Sequence, residues 1–430
     1  MEEVYGSDRK MEGEELMSNR IKVTFSQSEN KLFGYLAAVL SGAEAKVPEQ
    51  PLSDDGCWEE ILGLAQAHAV LPLLYPLVEQ GYPMPESVRC RLEHESRRTV
   101  QQSYHLMFLT HYVVNGLEEA EISSVVLKGV AAAEAYPVPE LRKSGDVDVL
   151  LLEPEQRERA EGILQGMGFA RKPGENGNHH KVWRTDEGID VELHVMMAEP
   201  FDSEKVNCFL REHMDQMRWR TQVVHVMGLD FPVLEKGDHA FQLILHMLQH
   251  FLRAGFGLKL LCDWVVLWNG EVSQREREEY LMGIRQTGLE GFSDMITSLC
   301  AEYLGLHRER AKRILTGTFQ GPLEVFMREI LDAEEFGLNE ESRMVVLRGN
   351  GLMDYIREFH HQMRLGYPGA SRILLLWPVL WAVTFVKFCW NNRKIRRISF
   401  FEVIKRTKER SRYTKELHLF KNLEKDKKDK

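Results

Sequence analysis

From Trp58 to Gln80 apolar residues return every three or four positions, at Ile61, Leu62, Leu64, Ala65, Ala69, Leu71 and Leu74. That spacing predicts one helix with a broad buried stripe. A shorter helix is expected over 31–43. A long one is expected from Pro85, whose fixed φ suits a first turn, to about Glu119. Residues 1–28 are polar and without period, and are expected to be a disordered tail. Residues 29–120 then form an N-terminal helical module.

After residue 120 the period shortens to two and β-branched residues accumulate. Strands are expected at Val125–Leu127, Val147–Leu152, Val182–Arg184, Ile189–Val195, Val223–Val226 and Leu229–Leu234. Thr185-Asp186-Glu187-Gly188 and Met227-Gly228 supply turn chemistry for two hairpins. Helices are expected over Val130–Tyr136 and Pro154–Met167, the second closed by Gly168. Residues 121–235 therefore read as an α/β core. From Lys236 the helical period returns, with Leu243, Leu245, Met247 and Leu248 on a core face of Asp238–Leu252, and 236–390 reads as a C-terminal helical domain followed by a tail, 391–430. The fold class is α+β, a mixed sheet flanked by helical modules.

Against that frame Gly145-Asp146-Val147-Asp148 stands out. Successive strand side chains face opposite ways, so Asp146 and Asp148 share a face and lie roughly 7 Å apart. Two like charges at the mouth of an apolar strand call for a cation. A second strand, Ile189-Asp190-Val191-Glu192-Leu193-His194, puts Asp190, Glu192 and His194 on one face, and either acid could complete a set of three. Ser124-Val125-Val126-Leu127-Lys128-Gly129 ends in Lys-Gly; Lys128 could steady a phosphate or be a solvated strand end. Arg142 could pair with phosphate or with an aspartate. His246 and His250, four apart, share a helix face; a metal pair and a packed or substrate-facing role are both open, and Asp263 could orient one of them.

Leu127-Lys128-Gly129, Tyr136-Pro137, Arg142, Gly145-Asp146-Val147-Asp148, Gly168-Phe169, His179-His180 and Glu192-Leu193-His194, with a weaker match at His246, His250 and Asp263, resemble a bacterial family of uncharacterised nucleotidyltransferases. That family is similar to the superfamily typified by the catalytic domain of DNA polymerase beta. The resemblance implies a nucleotidyltransferase-type core moving a nucleoside monophosphate from an NTP, ATP by default, to a hydroxyl-bearing acceptor. It implies that Asp146, Asp148 and Glu192 are catalytic and bind two Mg²⁺ ions, with Mn²⁺ as a substitute. Lys128, Gly129, Arg142 and Gly145 would contact nucleotide, with the helix after Gly129 offering its positive end to phosphate. His179, His180, Asp190, His194, His246 and His250 are candidates to face substrate, with an ordinary packed histidine at His194 and a polar loop at His179 and His180 as the open alternatives. Many superfamily members carry a second small residue in the turn where this chain has Gly129-Val130.

Composition narrows the acceptor. Net charge is −10, and the segment from Asn391 holds 15 Lys and Arg against 6 Asp and Glu, so that tail is +9 and the remainder −19. Broad duplex binding is not expected, and a small-molecule acceptor is the simplest choice. Six cysteines without a Cys-x-x-Cys pair suggest neither a zinc site nor a disulfide scaffold, and the acidic start is unlike a secretory signal. A cytoplasmic protein is expected. The apolar run from Ile373, with Trp377, Trp381, Trp390 and the basic residues to Arg397, adds peripheral membrane contact through 373–397 as an alternative to burial, and a full span as a third reading. Two rival functions remain: a noncatalytic nucleotide-binding protein of the same fold, and a membrane-apposed accessory factor for surface polymer or peptide modification.

Overall fold

In the computed structural model the described residues are 23–41, 55–172, 180–201, 203–253, 255–333, 360, 363, 367 and 373–391. The chain enters through α1 (Gln27–Leu40), where Ser26 and Glu29 form a reciprocal capping box. This places the first helix ahead of the boundary expected at residue 29: Ser28 is buried and donates to Glu60. The helix expected over Trp58–Gln80 is broken. α2 (Asp55–Ala67) stops before Ala69, which has φ +55, and a 3₁₀ turn at Leu71–Leu74 leads into α3 (Tyr75–Glu79). Pro72 and Pro76 each lack the amide a continuous helix would need. α4 (Glu86–Glu119) follows Pro85 and runs across the sheet.

The core alternates β1 (Ser124–Val126), α5 (Val130–Ala133), β2 (Asp146–Leu151), α6 (Arg157–Gly166), β3 (Ala170–Arg171), β4 (His180–Arg184), β5 (Asp190–His194), α7 (Glu204–Met217), β6 (Thr221–Val226) and β7 (Leu229–Leu234). Seven strands form one mixed sheet in the order β3-β4-β5-β2-β1-β7-β6. β2 is antiparallel to β1 and parallel to β5, a pairing between strands about forty residues apart. Met227 and Gly228, both at positive φ, close the β6–β7 hairpin as its right-handed twist requires. The helix expected over Val130–Tyr136 is only one turn, α5, because Pro137 and Pro139 follow closely.

The helical half comprises α8 (Lys236–Arg253), α9 (Leu258–Asn269), α10 (Gln274–Thr287), α11 (Glu290–Tyr303), α12 (Arg308–Ala311), α13 (Leu323–Ala333) and α14 (Trp377–Asn391). α8 begins tight against α10: a Cβ on Gly237 would lie 2.3 Å from the Glu276 carbonyl oxygen. Strand alternation divides the core. Val147, Val149, Leu151, Val191 and Leu193 pack under α4 and α6, beside Leu106, Val113, Leu117, Ala160 and Leu164. Leu150, on the face of Asp146 and Asp148, joins the other cluster with α8 and α9. The acids therefore lie at the strand end of the face that looks toward the helical half. Among the described residues no helix is long and apolar enough to cross a membrane, and no disulfide is present. His179 and the tail 392–430 lie outside the described residues.

Candidate active site

The parallel register of β2 and β5 sets Asp146 beside Asp190 and Asp148 beside Glu192. The β4–β5 hairpin then places His180 directly across from His194. One more cross-strand bond, from the Leu127 amide to the Asp148 carbonyl at 3.1 Å, carries Lys128 to the same spot from β1. Three elements distant in sequence thus meet at the Asp148 carboxylate.

Asp148 is buried, and its Oδ1 accepts from Lys128 Nζ at 2.7 Å and from His194 Nε2 at 2.9 Å. His194 Nε2 also lies 3.2 Å from Glu192 Oε2. Burial pushes the Asp148 carboxyl up, but Lys128 and His194 outweigh it and hold the group well below the usual carboxylate range. The same charges act in reverse on Lys128: burial opposes its ammonium, while Asp148, Asp146 and Glu192 raise it above the usual lysine range. His194 is raised because its bonds to Asp148 and Glu192 overcome burial. Lys128 and Lys259 relieve Asp146 only in part. The Asp148 charge, then burial, pushes it up to about 6.

Asp148 Oδ2 is buried with no hydrogen-bond partner. Three carboxylates face Lys128, Lys259 and His194, and the bare Asp148 oxygen is left without a donor among them. A bare carboxylate oxygen and a neighbour already inclined to hold its proton are what a divalent cation would relieve, and carboxylate oxygens suit Mg²⁺. Among the described residues, however, the set with ligand atoms all within 4.8 Å of one another is His180, Glu192 and His194, not the three acids expected from sequence.

Other expected residues separate. Asp190 is drawn away from the cluster: Arg184 grips it at 2.6 and 2.9 Å and Lys172 adds 3.1 Å, so Glu192 alone is left as the third acid. Arg142 turns its guanidinium to partners within the protein. Its Nε and Nη2 bond Asp263 at 2.7 and 2.8 Å, and its Nη1 bonds Ser144 Oγ at 2.6 Å and reaches the Gly129 carbonyl at 3.4 Å. Four of its five N–H donors are thereby used. Asp263, expected to orient a histidine, instead receives Arg142 and the Tyr136 hydroxyl. The pair ties the Gly129 turn and the approach to β2 onto α9.

Gly129 has φ +57 and ψ −115, a conformation that disfavours a side chain, and open space surrounds its missing Cβ. The expected contribution of a helix dipole after it is small, since α5 has a single turn. Gly145 is exposed immediately before β2. His246 and His250 stack edge to face with ring centroids 4.2 Å apart. Burial, with Lys128 beside them, lowers both, His250 to about 3, so they present neutral imidazoles toward the cluster. Lys259, in the first turn of α9, also acts on Asp146 and both histidines; sequence reading missed it, a lone cation just after Gly257 being its only signal.

No curated protein matches the chain. A solved structure, an antigenic nucleotidyltransferase-like protein from Paracoccidioides brasiliensis, aligns with 50% of this chain and 93% of its own at 15% identity, with a TM-score of 0.32. Residues 54–305, more than half of the chain and containing every residue of the cluster, match the family described as uncharacterised nucleotidyltransferase, and the chain belongs to that family.

Proposed function

We propose that this protein is a divalent-metal-dependent nucleotidyltransferase that moves a nucleoside monophosphate from an NTP, ATP by default, to a hydroxyl of a small-molecule acceptor. The observation that carries the reading is Asp148: buried, one oxygen held by Lys128 and His194, the other bare, with Asp146 and Glu192 alongside. Asp146, Asp148 and Glu192 would hold Mg²⁺. Bound there, divalent ions supply neutralisation of the departing pyrophosphate and polarisation of the attacking hydroxyl.

The chain's own residues do the rest. Gly129 leaves its backbone bare where a polyphosphate would approach. Lys128, held charged by three carboxylates, fixes a positive centre against which the phosphates orient. Glu192, set beside Asp148 by the parallel β2–β5 register, would take the acceptor's proton. His246 and His250, kept neutral, line the facing side and can hydrogen-bond an acceptor without repelling the ion.

The test is pyrophosphate release with Mg²⁺ and each NTP across a panel of hydroxylated small molecules. Acceptor-dependent release should fall by at least about 100-fold in Asp148→Asn, since one charged group at the centre of an electrostatic site carries several kcal/mol. Release that survives the substitution refutes the site. Nucleotide binding without release from any acceptor favours the noncatalytic alternative.

A second reading rests on α14 and the turn just before it. Ile373, Leu374, Val379 and Val386 are each more than half exposed, an apolar surface of the kind that lies on membranes. On this reading the enzyme works beside a bilayer, on an acceptor presented there.

A further inference from the structure

The cluster holds more nitrogen than a Mg²⁺ site calls for. His194 Nε2 stands 2.9 Å from Asp148 Oδ1 and 3.2 Å from Glu192 Oε2, and His180 across the hairpin brings a fourth group, its ring centroid 5.3 Å from that of His194. Metal–ligand bonds of about 2.1 Å at tetrahedral or octahedral angles put adjacent ligand atoms about 3.0–3.4 Å apart. The Nε2-to-oxygen spacings therefore lie close to the edges of a coordination polyhedron, drawn together here by a shared proton whose place a metal ion can take. His180, Glu192 and His194 each bring a ligand atom within 4.8 Å of the other two, and Asp148 Oδ2 is a buried, unpartnered oxygen on the neighbouring strand.

Imidazole changes the choice of ion. Mg²⁺ prefers an all-oxygen shell and sheds water reluctantly. A site of two imidazoles and one or two carboxylates binds first-row transition ions more tightly. We propose that His180, His194 and Glu192, with Asp148, form a transition-metal subsite that takes Mn²⁺ or Zn²⁺ ahead of Mg²⁺. This rests on the proposed nucleotidyltransferase site and assigns one of its ions a mixed nitrogen and oxygen shell. Local structure favours it. His180 and His194 are direct cross-strand partners on one hairpin, so their relative placement is set by backbone pairing and does not depend on the turn at Gly129.

The test uses the full chain without nucleotide. Mn²⁺ binding is followed by loss of the free-ion paramagnetic resonance signal, and nitrogen coupling to the bound ion by spin-echo modulation. Mg²⁺ and Zn²⁺ are then titrated as competitors. Bound Mn²⁺ should show imidazole nitrogen, Zn²⁺ should displace it at lower concentration than Mg²⁺, and His180→Asn should weaken it at least about tenfold, the scale on which a lost metal contact is felt. Thermal melts check that the variant folds; His180→Gln serves as a second variant if His180→Asn does not. A bound ion without nitrogen coupling, or binding lost in Asp146→Asn but unchanged in both His180 variants, overturns the subsite and leaves the carboxylate reading intact. Nitrogen-coupled Mn²⁺ in a protein that releases no pyrophosphate leaves the subsite standing and refutes the transferase. Absence of any bound ion overturns the subsite.

Discussion

Removing the charge of Asp263 should cost more stability than any change in the cleft, and it separates two accounts of Arg142. The Arg142 and Asp263 side chains are 5% and 2% exposed, so water cannot replace a lost partner. Asp263 accepts two bonds from Arg142 and one from Tyr136. Asp263→Leu leaves a buried guanidinium uncompensated, at about 3–5 kcal/mol. The orphaned Tyr136 hydroxyl adds about 1–3 kcal/mol. The sum approaches the whole stability of an ordinary domain, about 5–15 kcal/mol. Arg142→Met leaves the opposite charge buried and unpaired and should cost about 3–5 kcal/mol. The double variant removes both charges together, so its loss should fall short of the sum of the singles by about 2 kcal/mol or more. Urea unfolding of the four proteins at pH 7 measures this cycle. Losses that add to within about 0.5 kcal/mol would show that the two groups do not hold each other. If Arg142→Met weakens NTP binding while leaving the urea midpoint unchanged, the guanidinium serves the nucleotide and the structural account is wrong.

His239 gives a pH prediction: burial, with Arg142 and Lys236 nearby, lowers it to about 4. Above pH 6.5 neither state is protonated there; between 6.5 and 4 the unfolded chain takes a proton the folded one refuses, so stability falls with pH by about 3 kcal/mol across that window, and His239→Gln should flatten this part of the urea-midpoint profile. An unchanged profile refutes it. Gly129→Ala meets no atom within 4 Å, so its cost is backbone strain alone, about 1–3 kcal/mol; a melting temperature and an activity both equal to wild type would contradict the turn. For α14, liposome flotation of the full chain should exceed that of a chain ending at residue 371, and equal flotation removes the membrane reading.

Much of the site was legible because strand periodicity is local. Asp146 and Asp148 had to share a face, as did Asp190, Glu192 and His194. What could not be read was which acid would be taken by a cation from elsewhere. Arg184 and Lys172 claim Asp190, and Lys128 claims Asp148, through pairings between strands. Arg142 and Asp263 are 121 residues apart, and no spacing rule joins them. The helix read through Ala69 failed for a local reason, two prolines and a positive φ that outweighed the apolar period. The β6–β7 hairpin was legible because Met227-Gly228 sits between two alternating runs.

The β4–β5 hairpin has a consequence for how the centre comes into being. His180, Glu192 and His194 lie within fifteen consecutive positions on two strands that zip together around Gly188. Hairpins of this kind close in about 1–10 μs, whereas parallel pairing across a long loop is slow. The histidine half of the proposed cation cradle is thus a cassette whose geometry is set by local pairing, and only its junction with the aspartate strand needs the long-range parallel register.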